Sequence, residues 1–383
     1  MTPERSPECR SSLLSPLGAV TTTTAASAAA VSLPNDLVFD ILSKLQVKPL
    51  CRFRCVSRGW RALISDPVFA TMHKSRHADA DPLIVVSFSK ENPWSLYRAL
   101  RLMDMDGNVV KVIEGKGSIG LHFTSVDSLV CVVANVFSGL AHVVDLATGE
   151  ALLDCPESKD LSYRQCVFGF GRSAPSGLYK PGPPMGLSNW LRGLTVGEDT
   201  EWRTAQSSPV YISAYRSSPV AVNGNIYFLI SFDYRLLLAC FDLESEQWKE
   251  PLQGPKNTES PEIWRRTRKV YISELRGSLC VLQFLDTQSM TVWLMMESNK
   301  DKWIKMYTIP VAPSAHYSSS RILWVTHDGG KLIVDSLLNQ QEPVLQVYDT
   351  NYKTCKRLLK LDCGPGVVGL CSLQLNGFVS TKI

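Results

Sequence analysis

The stretch Val222-Asn-Gly-Asn-Ile-Tyr-Phe-Leu-Ile230, followed by Ala239-Cys-Phe-Asp-Leu-Glu244 and then Trp248, decides how this chain is read. A tight Asn-Gly turn leads into an aromatic and β-branched run. A second apolar run ends on Asp, and a third begins near the Trp. The same order returns at Leu275-Arg-Gly-Ser-Leu-Cys-Val-Leu282, Val292-Trp-Leu-Met-Met-Glu297 and Trp303. It returns again at Asp328-Gly-Gly-Lys-Leu-Ile-Val334, Leu345-Gln-Val-Tyr-Asp-Thr350 and Cys355, and an earlier copy ends His142-Val-Val-Asp-Leu-Ala-Thr-Gly-Glu150. The closing residues Trp202, Trp248, Trp303 and Cys355 are spaced 46, 55 and 52 apart. A period near 50 with about four strands per unit indicates a β-propeller. Each unit is a small sheet that cannot bury both faces alone, so stacking in a ring builds the core. The 308 residues from 76 to 383 accommodate about six such blades.

Outward from the repeat, the alternation of period 2 holds from Pro82 onward. It covers Ile84–Phe88, Val109–Ile113, Leu129–Val133 and Ala141–Asp145 before the quoted copies. Turn signals sit between the runs at Asp106-Gly107-Asn108, Asn223-Gly224, Arg276-Gly277 and Asp328-Gly329-Gly330. Residues 175–201, with Pro-Gly-Pro-Pro and few strand signals, read as a long surface loop or a degenerate blade. The repeated Trp residues read as core packing. Ahead of residue 80 the period becomes 3.6. Leu37, Ile41 and Leu45 recur every four residues with Val38 and Leu42 beside them, opened by Pro34. Pro49 reads as opening a second helix. Ser57 reads as capping a third, which runs to about Ser65 before Asp66-Pro67 stops it. Residues 1–31, rich in Ser, Thr, Ala and Pro, read as a disordered leader.

Composition narrows the function classes. The chain has 383 residues, 45% hydrophobic and 20% charged, which is ordinary for globular proteins and excludes collagen, coiled coil and wholesale disorder. The apolar run from Leu129 to Val144 is broken by Asn135, Ser138 and His142, so no membrane span is expected. The net charge is +4. Residues 32–76 carry eight basic and three acidic side chains, which is +5, so an acidic partner is expected at the front of the chain. Eleven scattered cysteines without C-x-x-C fit a reducing compartment, cytoplasm and/or nucleus. Cys51 and Cys55, four apart without a second pair, read as small core residues rather than zinc ligands.

No chemistry-bearing motif survives inspection. Gly115-Lys-Gly117-Ser-Ile-Gly120 lacks the helix N-terminus that would hold a pyrophosphate, and Gly169-Phe-Gly171-Arg-Ser-Ala174 runs into Pro175. No P-loop, G-x-S-x-G or H-E-x-x-H occurs, and the six histidines do not pair at ligand spacing. No catalytic, cofactor-binding or metal residue is therefore expected. Arg54, Arg58 and Arg61 share one helical face and read as a solvated face or an acidic protein's contact, not a nucleic-acid site. The run Arg265-Arg266-Thr-Arg268-Lys269 reads as a solvated loop.

Residues 33–69, from Leu33-Pro34-Asn-Asp36-Leu37 through Cys55-Val56-Ser57-Arg-Gly-Trp60 to Asp66-Pro67-Val-Phe69, resemble an F-box nearly position by position. The rest is similar to plant F-box proteins with an F-box-associated or kelch-like propeller; Phe168-Gly-Phe-Gly171 resembles a strand opening of that domain. The resemblance implies an α+β multidomain chain: leader 1–31, helical F-box 32–76, and an all-β propeller of about six blades over 80–383. It implies a non-catalytic substrate receptor of an SCF-type cullin-RING ubiquitin ligase, bound to a Skp-type adaptor, with no cofactor and an unknown target. Leu33, Pro34, Leu37, Ile41, Leu50, Val56 and Trp60 match the family's adaptor-facing or packing positions. An adaptor-bound scaffold outside a ligase and, more remotely, a propeller enzyme are the alternative readings.

Overall fold

The computed structural model describes residues 33–45, 47–77, 82–88, 97–118, 122–135, 140–155, 169–181, 191–193, 195–196, 203–205, 208–210, 212, 219–232, 235–255, 270–284, 289–296, 299–310, 321–326, 329–338, 342–360 and 368–371. The leader and the basic run at 265–269 lie outside them.

Four helices come first: α1 (Asn35–Ser43), α2 (Val47–Phe53), α3 (Arg58–Ser65) and α4 (Pro67–Arg76). Asp66-Pro67 ends α3 as expected but also starts α4, because the Asp66 carboxylate accepts the Val68 N–H at 2.7 Å and Pro67 needs no hydrogen-bond partner in a first turn. Helix α2 begins two residues before Pro49, which therefore sits inside its first turn.

Strands follow to residue 371, and five four-stranded antiparallel sheets form. In ring order, the first holds β1 (Leu83–Phe88), β2 (Tyr97–Met103) and β3 (Val109–Ser118). The second holds β4 (His122–Val126), β5 (Leu129–Asn135), β6 (Leu140–Asp145) and β7 (Ala151–Cys155). The third position is taken by a hairpin, β8 (Phe170–Arg172) and β9 (Tyr179–Pro181), with a second short pair, β10 (Leu191–Gly193) and β11 (Arg203–Ala205), after it in the chain. The fourth holds β12 (Val220–Val222), β13 (Asn225–Phe232), β14 (Arg235–Asp242) and β15 (Gln247–Gln253). The fifth holds β16 (Val270–Leu275), β17 (Ser278–Phe284), β18 (Ser289–Met296) and β19 (Asn299–Pro310). The sixth holds β20 (Arg321–Val325), β21 (Lys331–Leu338), β22 (Glu342–Asp349) and β23 (Thr354–Lys360). Finally β24 (Val368–Cys371) returns to pair with β1, Leu83 opposite Cys371, and closes the ring inside the first sheet.

Five full blades stand where period arithmetic gave about six. The difference lies in the third position. The inner strands touch in the cyclic order β24, β4, β8, β12, β16, β20, so the ring has six places, and β8–β9 fills one with half a blade. This hairpin packs Phe170 and Tyr179 onto Leu129, Cys131 and Val143 of the second blade. On its other side a Cβ at Gly169 would lie 2.6 Å from Ile226, and one at Gly171 would lie 2.7 Å from Leu243, so only glycine allows the fourth blade to come this close. Gly115 and Gly117, the other dinucleotide-like pair, lie inside β3, and the next element is the strand β4.

The repeat has a physical basis at four of the outer turns. Asp104, Asp145, Asp242 and Asp349 each accept the N–H two residues ahead, at 2.8–3.0 Å. The chain then turns through a positive φ at Gly107, Gly149, Glu246 or Lys353. The residue after the Asp ties this turn to the inner one: Leu146 N–H to Ser128 O, Leu243 N–H to Gly224 O, and Thr350 N–H to Gly330 O, all at 2.8–2.9 Å. Between blades the cores are apolar. Trp248 packs against Phe228 and Phe241, as expected of a closing Trp, and the Trp303 N–H donates to Gln253 O at 2.9 Å. Cys131, Cys240 and Cys280 are buried, and burial pushes the Cys131 thiol up to about 12; Cys55 and Cys355 are instead exposed.

Candidate functional site

The helical module shows how a short apolar sequence divides between inside and outside. Pro34 O accepts the N–H groups of Leu37 and Val38 and so starts α1. One side of α1 turns Val38 and Leu42 into a core with Leu50, Ile64, Phe69 and Ala70. Phe39 meets Phe69 edge-on at 5.1 Å, and Trp60 meets Phe53 edge-on at 5.4 Å. The Ser57 hydroxyl caps α3 by accepting the Trp60 N–H at 3.0 Å.

Polar contacts tie the helices to one another. The Asp40 carboxylate binds Lys44 at 2.7 Å and Arg76 of α4 at 2.8 Å, and these two cations hold it below the usual carboxylate range. The His73 Nε2–H donates to Leu45 O at 2.8 Å, and burial lowers its pKa. From the propeller, Ala147 in the β6–β7 turn packs against this helical core.

The other side of the module stays open. Leu37 and Ile41, one turn apart on α1, are 51% and 50% exposed, Leu33 is similar, and Val56 in the α2–α3 turn is 62% exposed. Pro34 is exposed as well. The stripe of α1 thus splits into two rows, with Val38 and Leu42 inward and Leu37 and Ile41 outward. Leu50, grouped by resemblance with the exposed positions, is 0% exposed and belongs to the internal core, and Trp60 is half-buried in that core. Sequence reasoning missed Val68 and Met72 on α4, also exposed and four apart; their spacing was the available signal.

Among the described residues no group of three His, Cys, Asp or Glu side chains is placed to hold a metal, and no helix is long and apolar enough to cross a membrane.

Residues 31–71 match the F-box domain family model, and residues 187–361 match that of the F-box associated beta propeller domain. The chain carries an F-box followed by an F-box-associated β-propeller. The F-box protein At3g07870 of Arabidopsis thaliana is 22% identical over 381 residues, covering 86% of this chain and 87% of the relative. The F-box protein At1g52495 of the same plant is 26% identical over 294 residues, covering 71% and 67%. Over 67 residues, 18% of this chain and 15% of the relative, the F-box protein At1g47340 of Arabidopsis thaliana reaches 39%. Among solved structures, TolB from Acinetobacter baumannii aligns with a TM-score of 0.48 at 11% identity, covering 82% of this chain and 73% of that one. The pairing of an F-box with this propeller supports a substrate-recognition role of the SCF type in general.

Proposed function

We propose that this chain is the non-catalytic substrate-recognition subunit of an SCF-type cullin-RING ubiquitin ligase, working in the cytoplasm and/or nucleus. Its F-box docks on a Skp-type adaptor through Leu33, Pro34, Leu37, Ile41 and Val56, while Leu50 and Trp60 hold the module's shape. Its propeller recruits the target protein.

The observation that supports this reading is the exposed apolar row on a module whose own core is already filled. Water-exposed leucine and isoleucine on a folded helix gain about 25 cal/mol per Å² when a partner covers them, before association costs. A few such anchors dominate an interface of this kind. The propeller contributes a rigid frame, and bond chemistry falls to other subunits of the ligase.

The test is capture of a purified Skp-type adaptor and cullin by the full chain. Wild-type protein is expected to bring down both. Leu37→Ser with Ile41→Ser is expected to lose the adaptor while the propeller's thermal transition stays in place. Failure of the wild-type chain to bind the adaptor, or capture of adaptor without cullin, overturns the ligase reading.

A further inference from the structure

The outward row Leu33, Leu37, Ile41 and Val56 is exposed, and apolar side chains of this size attract any apolar cover within reach. Among the described residues, the propeller meets the module at Ala147, on the core with Val38 and Leu42, and leaves the row open. The sequence carries a second candidate cover. The described residues begin at Leu33, at the head of the row, and 32 residues precede it. Those residues are mostly Ser, Thr, Ala and Pro, yet Leu13, Leu14, Leu17 and Val20 fall within one stretch of eight. From Ser11 to Asn35 there is no Asp, Glu, Lys or Arg. A segment without charge loses little hydration when pressed against leucine and isoleucine, whereas Glu4, Arg5, Glu8 and Arg10 would lose much.

Reach and competition follow from chain length. Residues 21–32, twelve in all, join Val20 to Leu33. A link of that length spans about 20 Å as a random coil and up to about 40 Å when extended. Helix α1 has nine residues and is about 14 Å long, so the leucines can return to Leu37 and Ile41. Joined by so short a link, they stand at an effective concentration of about a millimolar. They need the same side chains as an adaptor does. A segment that held the row about four-fifths of the time would lower apparent adaptor affinity about fivefold.

We propose that residues 13–20 fold back onto the row Leu33, Leu37, Ile41 and Val56 in the free chain and yield it to the adaptor. This inference rests on the proposed docking surface and names its regulation. The unassembled chain covers its own leucines, and adaptor binding displaces the cover.

The test titrates a purified Skp-type adaptor against the full chain by biolayer interferometry. Leu13→Ser with Leu14→Ser and Leu17→Ser is expected to tighten adaptor binding about fivefold. A synthetic peptide of residues 11–22 at about millimolar concentration is expected to return that variant to the wild-type affinity. Thr22→Ser with Thr23→Ser, outside the leucine cluster, is expected to change nothing. A photo-crosslinking benzoylphenylalanine placed at Gly18 is expected to label α1 or the α2–α3 turn in the free chain and to lose that label when adaptor is added. Equal adaptor affinity of the wild type and the leucine variant overturns the inference. So does a label that is absent, falls on the propeller, or persists beside bound adaptor. A label formed between two chains, or a gain that vanishes on dilution, assigns the cover to a second copy and overturns it too. A chain that binds no adaptor with or without the leucines refutes the docking reading, and the free-chain label then decides separately whether residues 13–20 cover the row.

Discussion

The F-box helices and the propeller blades use the same residue types in opposite ways. In the blades, alternate residues face two neighbours, and Phe228, Phe241, Leu282 and Leu332 all disappear into inter-blade cores. In the F-box, Leu33, Leu37, Ile41 and Val56 stay in water although the module has a complete core beneath them. A ring of sheets supplies each apolar face with a neighbour from within the chain. Among the described residues, the four-helix module of some forty residues has no such neighbour on its outer side, and Ala147 packs onto its core from the propeller. Apolar pattern marks burial in both regions, but only topology says whether the covering surface belongs to the same chain.

The sharpest way to break this contrast is truncation on each side of it. Phe241→Ala removes a buried ring that packs on Trp248 at 5.1 Å and is expected to cost about 3–5 kcal/mol of propeller stability. Leu50→Ala in the F-box core is expected to cost about 2–5 kcal/mol. Leu37→Ala, on the outward row, is expected to change stability by less than about 0.5 kcal/mol while weakening the adaptor complex about tenfold. Denaturant melts and adaptor titrations check all three. If Leu37→Ala destabilised the module as Leu50→Ala does, the outward row would be structural.

Much of this division was legible in the sequence. The F-box is contiguous, so Leu33-Pro34, Ser57 and Trp60 stand in one readable segment, and Ser57 does cap α3. The strands were legible because the alternating runs Ile84–Phe88, Val109–Ile113, Leu129–Val133 and Ala141–Asp145 each fall inside an observed strand. The blade count was less so, because the third position breaks the period. Its hairpin is held by Gly169 and Gly171 against the fourth blade and by the Tyr179–Asp127 bond at 2.7 Å, contacts between residues more than 50 apart that no periodicity reveals. The two rows of α1 were not separable either. Leu37, Ile41, Val38 and Leu42 form one apolar arc, and which edge of it is inward depends on where α4 lands.

The third position offers the next test, at a smaller expected effect. Half a blade buries less apolar surface than a full one, and polar clamps supplement it. The Ser176 hydroxyl donates to Glu244 at 2.5 Å, and buried Lys180 donates to Glu246 at 2.7 Å across to the fourth blade. Lys180→Met leaves the Glu246 carboxylate short of its cation in a partly closed site and is expected to cost about 2 kcal/mol. A cost below about 0.5 kcal/mol in thermal unfolding would mean that the hairpin is held by its apolar packing without this clamp.

Acid sharpens the comparison on the F-box side. His73 is buried against Phe69 and stacked on His77 at 4.2 Å, and burial holds its pKa below the ordinary 6.5. The unfolded chain takes up a proton at higher pH than the folded module does. Stability from this group is therefore full above about pH 6.5 and falls as the pH drops below it, by at most about 1.4 kcal/mol per pH unit. Helical circular dichroism of the full chain between pH 7 and pH 5 is expected to show the F-box melting earlier. His73→Phe is expected to flatten that dependence.

The smallest effect expected is at the start of α3, where local and tertiary forces separate most cleanly. Ser57 is exposed, and its hydroxyl does one thing: it accepts the Trp60 N–H at 3.0 Å, satisfying a donor that no helical carbonyl reaches. Ser57→Ala is expected to cost about 1 kcal/mol, and Ser57→Asp, which restores an acceptor and adds a favourable charge at the helix start, to recover most of it. Because Trp60 is anchored by Phe53 and the core, the loss is expected to leave its edge-on packing and the outward row unmoved, so adaptor affinity falls less than twofold. A larger loss of affinity would mean that the Val56 turn is positioned by the cap, and that the exposed surface is held in shape by its hydrogen bonds as much as by the core beneath it.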